Sequence, residues 1–277
     1  MNPEEWVRFF REIGSSLKEG VTSLFGQPEA RREIQVGAGG DTTTFIDQWA
    51  EDLILSRMFS LHTQGVDFTL VSEELGYRHF GQGDDCVLVD PIDGSLNAKR
   101  GIPFFAASFA LVGGRELSQT RVGVVINLSN GDEFCAIRGK GSFFNGRHLP
   151  PRDCERMEVL AYEASNPAAD LPLLFPLFPY ATRSRCLGST ALDLCYAACG
   201  HIDLFVVPRT ARCFDFAAGK LILEEAGGVV TDLEGNDLGR IPVDLRRKTS
   251  LLASSSPRLH QQAREILGGG SAPCGFS

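Results

Sequence analysis

The sequence contains no apolar stretch approaching the ~20 residues of a membrane-spanning helix. Its first residues, MNPEEWVRFFREIG, carry acids where a secretion signal needs a basic region followed by an apolar core. Both absences make the cytoplasm the expected location. There is no surplus of positive charge, because 27 Lys and Arg stand against 35 Asp and Glu for a net charge of -8. That balance argues against non-specific binding to nucleic acid or an anionic membrane and favours cations as partners. No CxxC pair occurs among the 8 cysteines, which fall mostly inside apolar runs. Cys195 and Cys199 share a helical face by spacing, yet no neighbouring histidine completes a zinc site, so reduced packing residues are expected. What is present is 277 residues with 43% hydrophobic content, enough for a substantial core in one large domain or two subdomains.

Hydrophobic spacing supplies the elements. Trp6, Phe9, Phe10, Ile13, Leu17, Val21 and Leu24 recur at helical steps, and Ile46, Trp49, Ala50, Leu53 and Ile54 resume that period after a mobile glycine-rich span at Gly37, Gly39 and Gly40. Phe68 to Val71, Ala106 to Val112, Val122 to Asn127 and Glu133 to Ile137 read as strands, with Gly139 to Gly146 as a hairpin extension. Pro150 and Pro151 mark the best internal boundary, giving an N-terminal α+β part, 1–149, and a C-terminal α/β part, 150–277. In the second part, Met157 to Tyr162, Ile202 to Val207 and Leu251 to Ser254 suit strands, whereas Thr190 to Cys199 and Phe216 to Glu225 suit helices. That alternation implies a layered α/β arrangement. The last residues, 268–277, are too poor in apolar side chains to order themselves.

The chain is organised around DDCVLVDPIDGSLNAKRGIPFF, residues 84–105. Cys86 to Val89 reads as a buried strand stopping at Asp90 and Pro91. Proline fixes its own φ and pushes Asp90 into an extended conformation, so the chain turns and Asp93 returns beside Asp90. Two crowded carboxylates repel each other, and a hard divalent cation with oxygen ligands relieves that repulsion. Gly94 and Ser95 then open a helical turn whose free amide hydrogens suit a phosphate. Taken singly, the other acids have ordinary explanations. Asp47 suits the first turn of a helix, Glu73 and Glu74 suit a solvated strand end, and Asp215 suits a helix cap.

Together these strings resemble the Mg-dependent, lithium-sensitive phosphatase superfamily of inositol monophosphatases, fructose-1,6-bisphosphatases and nucleotide 3'-phosphatases. DPIDGS, Asp90 to Ser95, matches the first signature, and SEE, Ser72 to Glu74, stands for its G-E-E. FDFAAG, Phe214 to Gly219, resembles W-D-x-A-A-G with Phe for Trp, and DTTTFID, Asp41 to Asp47, resembles D-x-x-T-x-x-D. NAKRGIPFF, GAGGD and RSRCLGSTALDLCYAACGHID look most like the archaeal-type branch of dual fructose-bisphosphatase/inositol-phosphatases. Gly39 departs from that branch, where many members carry Asp, and leaves Asp41 as a substitute. Pro208 falls where animal-type inositol monophosphatases carry an acidic inositol-binding residue.

The resemblance implies a layered αβαβα sandwich of the sugar phosphatase type, usually homodimeric, activated by Mg2+ with Mn2+ able to replace it, and inhibited by Li+ and Ca2+. On this expectation Glu73, Asp90 and the Ile92 carbonyl hold one ion. Asp90, Asp93 and Asp215 hold a second, and Glu73 with water holds a weaker third. Asp47, Glu73 and Ser95 are the expected catalytic residues, with Asp47 orienting Ser95. Asp93, Gly94 and Ser95 are expected to bind the phosphate being removed, and Arg183, Arg185 and Arg209 to clamp a second one through bidentate hydrogen bonds. The cluster Arg246, Arg247 and Lys248 reads as a solvated turn. The expected substrates are fructose 1,6-bisphosphate and inositol 1-phosphate. The alternatives are an inositol monophosphatase without bisphosphatase activity, a phosphatase of adenosine 3',5'-bisphosphate or NADP, or a non-catalytic regulatory protein that binds metal.

Overall fold

A computed structural model describes residues 1–40 and 42–269 of the chain. Asp41, the expected substitute for an aspartate at 39, and residues 270–277 of the expected tail lie outside the described residues. In chain order the elements are helix α1 (Pro3–Leu24), hairpin strands β1 (Glu33–Val36) and β2 (Thr42–Thr44), helix α2 (Phe45–Thr63) and strands β3 (Phe68–Ser72), β4 (Gly76–Phe80) and β5 (Cys86–Asp93). The short helix α3 (Ser95–Arg100) leads to β6 (Ala106–Val112), β7 (Thr120–Asn127), β8 (Glu133–Ile137), β9 (Gly141–Phe144) and β10 (Arg147–His148). Then come β11 (Val159–Tyr162), α4 (Pro167–Leu174), β12 (Arg183–Arg185), α5 (Thr190–Ala198), β13 (Leu204–Ala211), α6 (Cys213–Glu225), β14 (Val229–Thr231), β15 (Thr249–Ser254) and α7 (Pro257–Leu267).

The strands from β3 to β10 form one sheet in the order β10-β9-β8-β7-β6-β5-β3-β4, and those from β11 to β15 form another in the order β12-β11-β13-β15-β14. Alternation of side chains across each sheet assigns the layers. Val87, Val89, Phe109 and Val124 face α1 and α2 on one side of the large sheet. Leu88, Ala110 and Val125 face α5 and α6, which also cover the inner face of the small sheet through Phe205 and Leu251. On the outer face of the small sheet, Leu204, Val206 and Leu252 pack against Leu174 of α4 and Leu259 of α7. The result is the expected α, β, α, β, α succession of layers.

Close approach in the middle layer depends on small residues. A Cβ on Gly123 of β7 would stand 2.8 Å from the Ala218 carbonyl of α6, so only glycine lets this helix lie against the sheet. The edge hairpin between β9 and β10 turns through Asn145 and Gly146, both with positive φ, which suits the twist of paired strands. The cysteines among the described residues carry no disulfide, and Cys135, Cys195, Cys199 and Cys213 are buried as apolar packing groups.

Two strands continue through a proline, past the ends read from sequence. The β5 strand does not stop at Pro91 but continues to Asp93, with its pairing to β6 slipping between Asp90 and Asp93. A proline is tolerated in a strand where the ladder is already interrupted. Likewise β13 passes through Pro208 to Ala211, with a register irregularity between Val207 and Ala211.

Candidate active site

Parallel pairing of β3 with β5 matches Ser72 to Val89, so the next residues, Glu73 and Asp90, emerge side by side at the same end of the large sheet. Asp215 enters from the first turn of α6, Asp47 from the first turn of α2, and Gly94 and Ser95 from the start of α3. All of these line one open cleft of about 530 Å³, together with Ile92 and Asp93. The metal and phosphate residues expected from sequence are therefore brought together, although they span the chain from 47 to 215.

Each acid is held by local structure. Asp215 is the third residue of its helix and not its cap, and its Oδ2 accepts the Arg212 amide hydrogen at 2.8 Å. Asp47 occupies the same helical position, and its Oδ2 accepts from the Thr44 amide at 2.9 Å and the Thr44 hydroxyl at 2.6 Å. Lys99 Nζ lies 3.4 Å from the same oxygen. Asp90 Oδ1 accepts from the Ile92 amide at 3.0 Å. Asp93 Oδ2 reaches across to α5, accepting from the Ser189 hydroxyl at 2.6 Å and the Ala191 amide at 2.7 Å. Gly94 has φ 86, and a Cβ there would stand 2.7 Å from the Gly188 carbonyl. Only glycine can turn the chain from Asp93 into Ser95 at this point.

The departures from the family pattern also find places. Ser72 is buried, does not have a positive φ, and donates to Glu51 Oε2 at 2.5 Å, so serine is accommodated where glycine is usual. Phe214 is buried with its ring 4.7 Å from the Arg212 guanidinium carbon. Arg183 and Arg185 lie on the exposed edge strand β12, donating to the neighbouring Thr182 and Ser184 carbonyls. Arg209 forks onto Asp170 at 3.0 and 2.7 Å. None of the three lines the cleft; the basic side chains that do are Lys99, Arg212 and Lys248. Lys248 thus belongs to the cleft wall and is more than part of a solvated turn.

These lysines, Arg212 and the half-buried Glu163 were not visible in the sequence as site residues. An isolated Lys or Glu carries no periodic signal. Arg212 did leave one trace, since a cation three residues before a helix acid opposes the helix dipole and asks for a compensating partner.

Burial and mutual repulsion dominate the electrostatics. Asp90 is held well above the ordinary carboxylate range, by burial first and then by Glu73, Asp93 and Asp215, with Arg212 opposing. Burial raises Asp93 to about 6 against the pull of Ser189 and Ala191. Glu74 rises to about 7, chiefly by burial, although it accepts a hydrogen bond from Thr43. Such an all-oxygen, over-charged set suits a hard divalent cation, which would be the missing positive charge. As arranged, no three acidic, His or Cys side chains among the described residues close around a single point, and the Arg212 guanidinium lies between Glu73 and Asp215.

Glu51, the partner of Ser72, gives a separate prediction. It is 2% exposed, and burial lifts its pKa to about 7 despite the Ser72 hydrogen bond. A raised folded pKa means the native state resists ionisation, so this residue is neutral in its effect below pH ~4.5 and weakens the fold as pH rises through about 7. The Glu51→Gln variant keeps an acceptor for Ser72 and is expected to exceed the wild type in urea stability by about 2–3 kcal/mol at pH 8, with no difference at pH ~4.5. A constant difference across that range would show that Glu51 is not the titrating group.

The family model described as the inositol monophosphatase family matches residues 2–268. The chain belongs to the inositol monophosphatase family. Its relatives include the fructose-1,6-bisphosphatase/inositol-1-monophosphatase of Methanothermobacter thermautotrophicus, 32% identical over 95% of this chain and 96% of the relative. The enzyme of the same name from Archaeoglobus fulgidus is 32% identical over 96% of this chain and all of the relative. Among solved structures, a Pyrococcus horikoshii protein with similarities for inositol-1 monophosphatase superposes with a TM-score of 0.81 at 29% identity, covering 98% of this chain and 100% of that one. As a member of the inositol monophosphatase family the protein is a phosphatase-type enzyme, and the family generally uses divalent metal ions. None of its described helices is long and apolar enough to cross a membrane.

Proposed function

We propose that this enzyme hydrolyses phosphate monoesters of small sugars and polyols, fructose 1,6-bisphosphate and inositol 1-phosphate, using Mg2+ in the cytoplasm as a homodimer. The observation that carries the reading is the meeting of Glu73, Asp90, Asp93 and Asp215 in one cleft that the Gly94–Ser95 turn also lines. Uncatalysed hydrolysis is extremely slow because negative oxygens shield the phosphorus from water. Bound divalent ions would neutralise those oxygens and acidify the attacking water.

Glu73, Asp90 and the Ile92 carbonyl are assigned to one ion and Asp90, Asp93 and Asp215 to a second, with Glu73 contributing to a weaker third. Mn2+ is expected to substitute and Li+ and Ca2+ to inhibit. The Gly94 and Ser95 amides receive the phosphate oxygens. Ser95 would assist proton delivery to the departing oxygen together with Asp47, whose carboxylate is held by Thr44 and Lys99. Lys248 supplies positive charge on the cleft wall for a second anionic group on the substrate.

Among the described residues no aromatic ring lines the cleft, so a nucleobase finds no stacking surface there. This supports sugar and polyol phosphates over nucleotides. Phosphate release with Mg2+ should accordingly be at least roughly tenfold more efficient from fructose 1,6-bisphosphate or inositol 1-phosphate than from adenosine 3',5'-bisphosphate or NADP. A preference for either nucleotide would overturn the substrate assignment. Absence of release from all four would favour a protein that only binds metal.

A further inference from the structure

The Arg212 guanidinium lies inside the carboxylate group and not at its rim. One terminal nitrogen is 2.5 Å from Glu73 Oε1, the other faces the Gly39 carbonyl at 3.4 Å, and Nε is 3.7 Å from Asp215 Oδ2. Its side chain is only 12% exposed and is backed by the Phe214 ring. Glycine at 39 makes room for it, since a Cβ there would be 3.0 Å from the nearer terminal nitrogen. The position is otherwise unfavourable, because a positive charge at the start of α6 opposes the helix dipole. Proximity to the acids outweighs that penalty.

Resting on the divalent-ion reading of the cleft, we propose that Arg212 is a built-in counter-charge that competes with the divalent cation for Glu73 and Asp215. A guanidinium and an ion cannot share the same carboxylate lone pairs at contact distance, and their charges repel. Ion entry therefore has to break the Glu73–Arg212 pair, and the guanidinium swings toward the cleft. The free energy of that displacement is subtracted from ion binding, so the site is weaker and faster to exchange than its acids alone would make it. A substrate phosphate that receives the displaced guanidinium would recover part of the difference, linking substrate and ion affinity reciprocally.

Calorimetric titration of the whole chain with Mg2+ tests this without reading activity. Arg212→Met is expected to bind the ion roughly tenfold more tightly than the wild type. Lys248→Met removes one positive charge from the same cleft without touching Glu73 and is expected to change affinity less than about threefold. Equal tightening in both variants would make net charge the cause and overturn the competition, as would weaker binding in Arg212→Met. Should that variant fail to fold by circular dichroism, Arg212→Gln, which removes the charge but keeps a polar side chain, carries the test with the same sign. In an Mg2+-bound crystal structure the Glu73–Arg212 contact is expected to be broken, and its persistence would also refute the proposal. If the wild type itself takes up no divalent ion, the divalent-ion reading of the cleft fails first.

Discussion

In an Asp90→Asn variant, kcat/KM for phosphate release is expected to fall on the order of 10³-fold or more, beyond the 10–100-fold loss typical of a residue that only supports a ligand. The same variant should melt at a higher temperature than the wild type at pH 8 without added divalent ion. The two effects have one cause. Burial first, and then the charges of Glu73, Asp93 and Asp215, hold the pKa of Asp90 well above the usual value, so its ionised form costs the native state stability once pH exceeds the ordinary carboxylate range. Asparagine removes that charge while keeping the shape. With saturating Mg2+ the order should reverse, because an ion that binds the native wild type stabilises it by mass action and the variant lacks the carboxylate proposed to be shared between the ions. Thermal melts with and without Mg2+, beside steady-state kinetics, check both signs. Equal activity in variant and wild type would show that the cleft is not a metal centre.

The second large effect is expected from Gly94→Ala. A single methyl at this position meets two obstacles, a φ of 86 and a Gly188 carbonyl 2.7 Å from the new atom. The left-handed backbone alone costs an alanine roughly 1–2 kcal/mol, and relief of the contact requires α3 or the Gly188–Ser189 segment to shift. Ser189 is a hydrogen-bond partner of Asp93, so the shift is passed to a carboxylate of the site. Activity should drop by about 10²-fold, as for a small misplacement of reacting groups. Ion affinity by calorimetry should fall far less than in Asp90→Asn. If Gly94→Ala loses stability but retains full kcat/KM well below its melting temperature, the turn is structural and does not hold the phosphate.

Much of this arrangement was legible in the sequence, for physical reasons that also explain what was not. Ala106–Val112 and Glu133–Ile137 are strands as read, because mainly apolar runs bounded by turn residues leave little choice. The sandwich of layers followed from alternation and the family resemblance. Two prolines, Pro91 and Pro208, lie inside strands that continue past them. Asp90–Asp93 and Val207–Ala211 remain in their strands because ladder irregularities at those points remove the need for a donor. The acids were legible because their neighbours Pro91, Gly94 and the run Ala217 to Gly219 form local patterns with geometric meaning. Lys248 and Glu163 have no such neighbours and reach the cleft by tertiary packing alone, whereas Lys99 and Arg212 adjoin the motifs, and only Arg212, a cation ahead of a helix acid, carries a trace of its role. The reverse holds for Arg209, whose apparent availability disappears against the buried Asp170.

Asp93 ties two layers of the fold together: its backbone belongs to the large sheet, while its carboxylate is fastened to the start of α5, in the layer that also covers the small sheet. It works as a bolt through two plates. Heating or mild denaturant that lets the plates slide by even an ångström pulls on this bolt before either plate comes apart. Catalysis should therefore fade at temperatures where circular dichroism still reports a full complement of helices and strands.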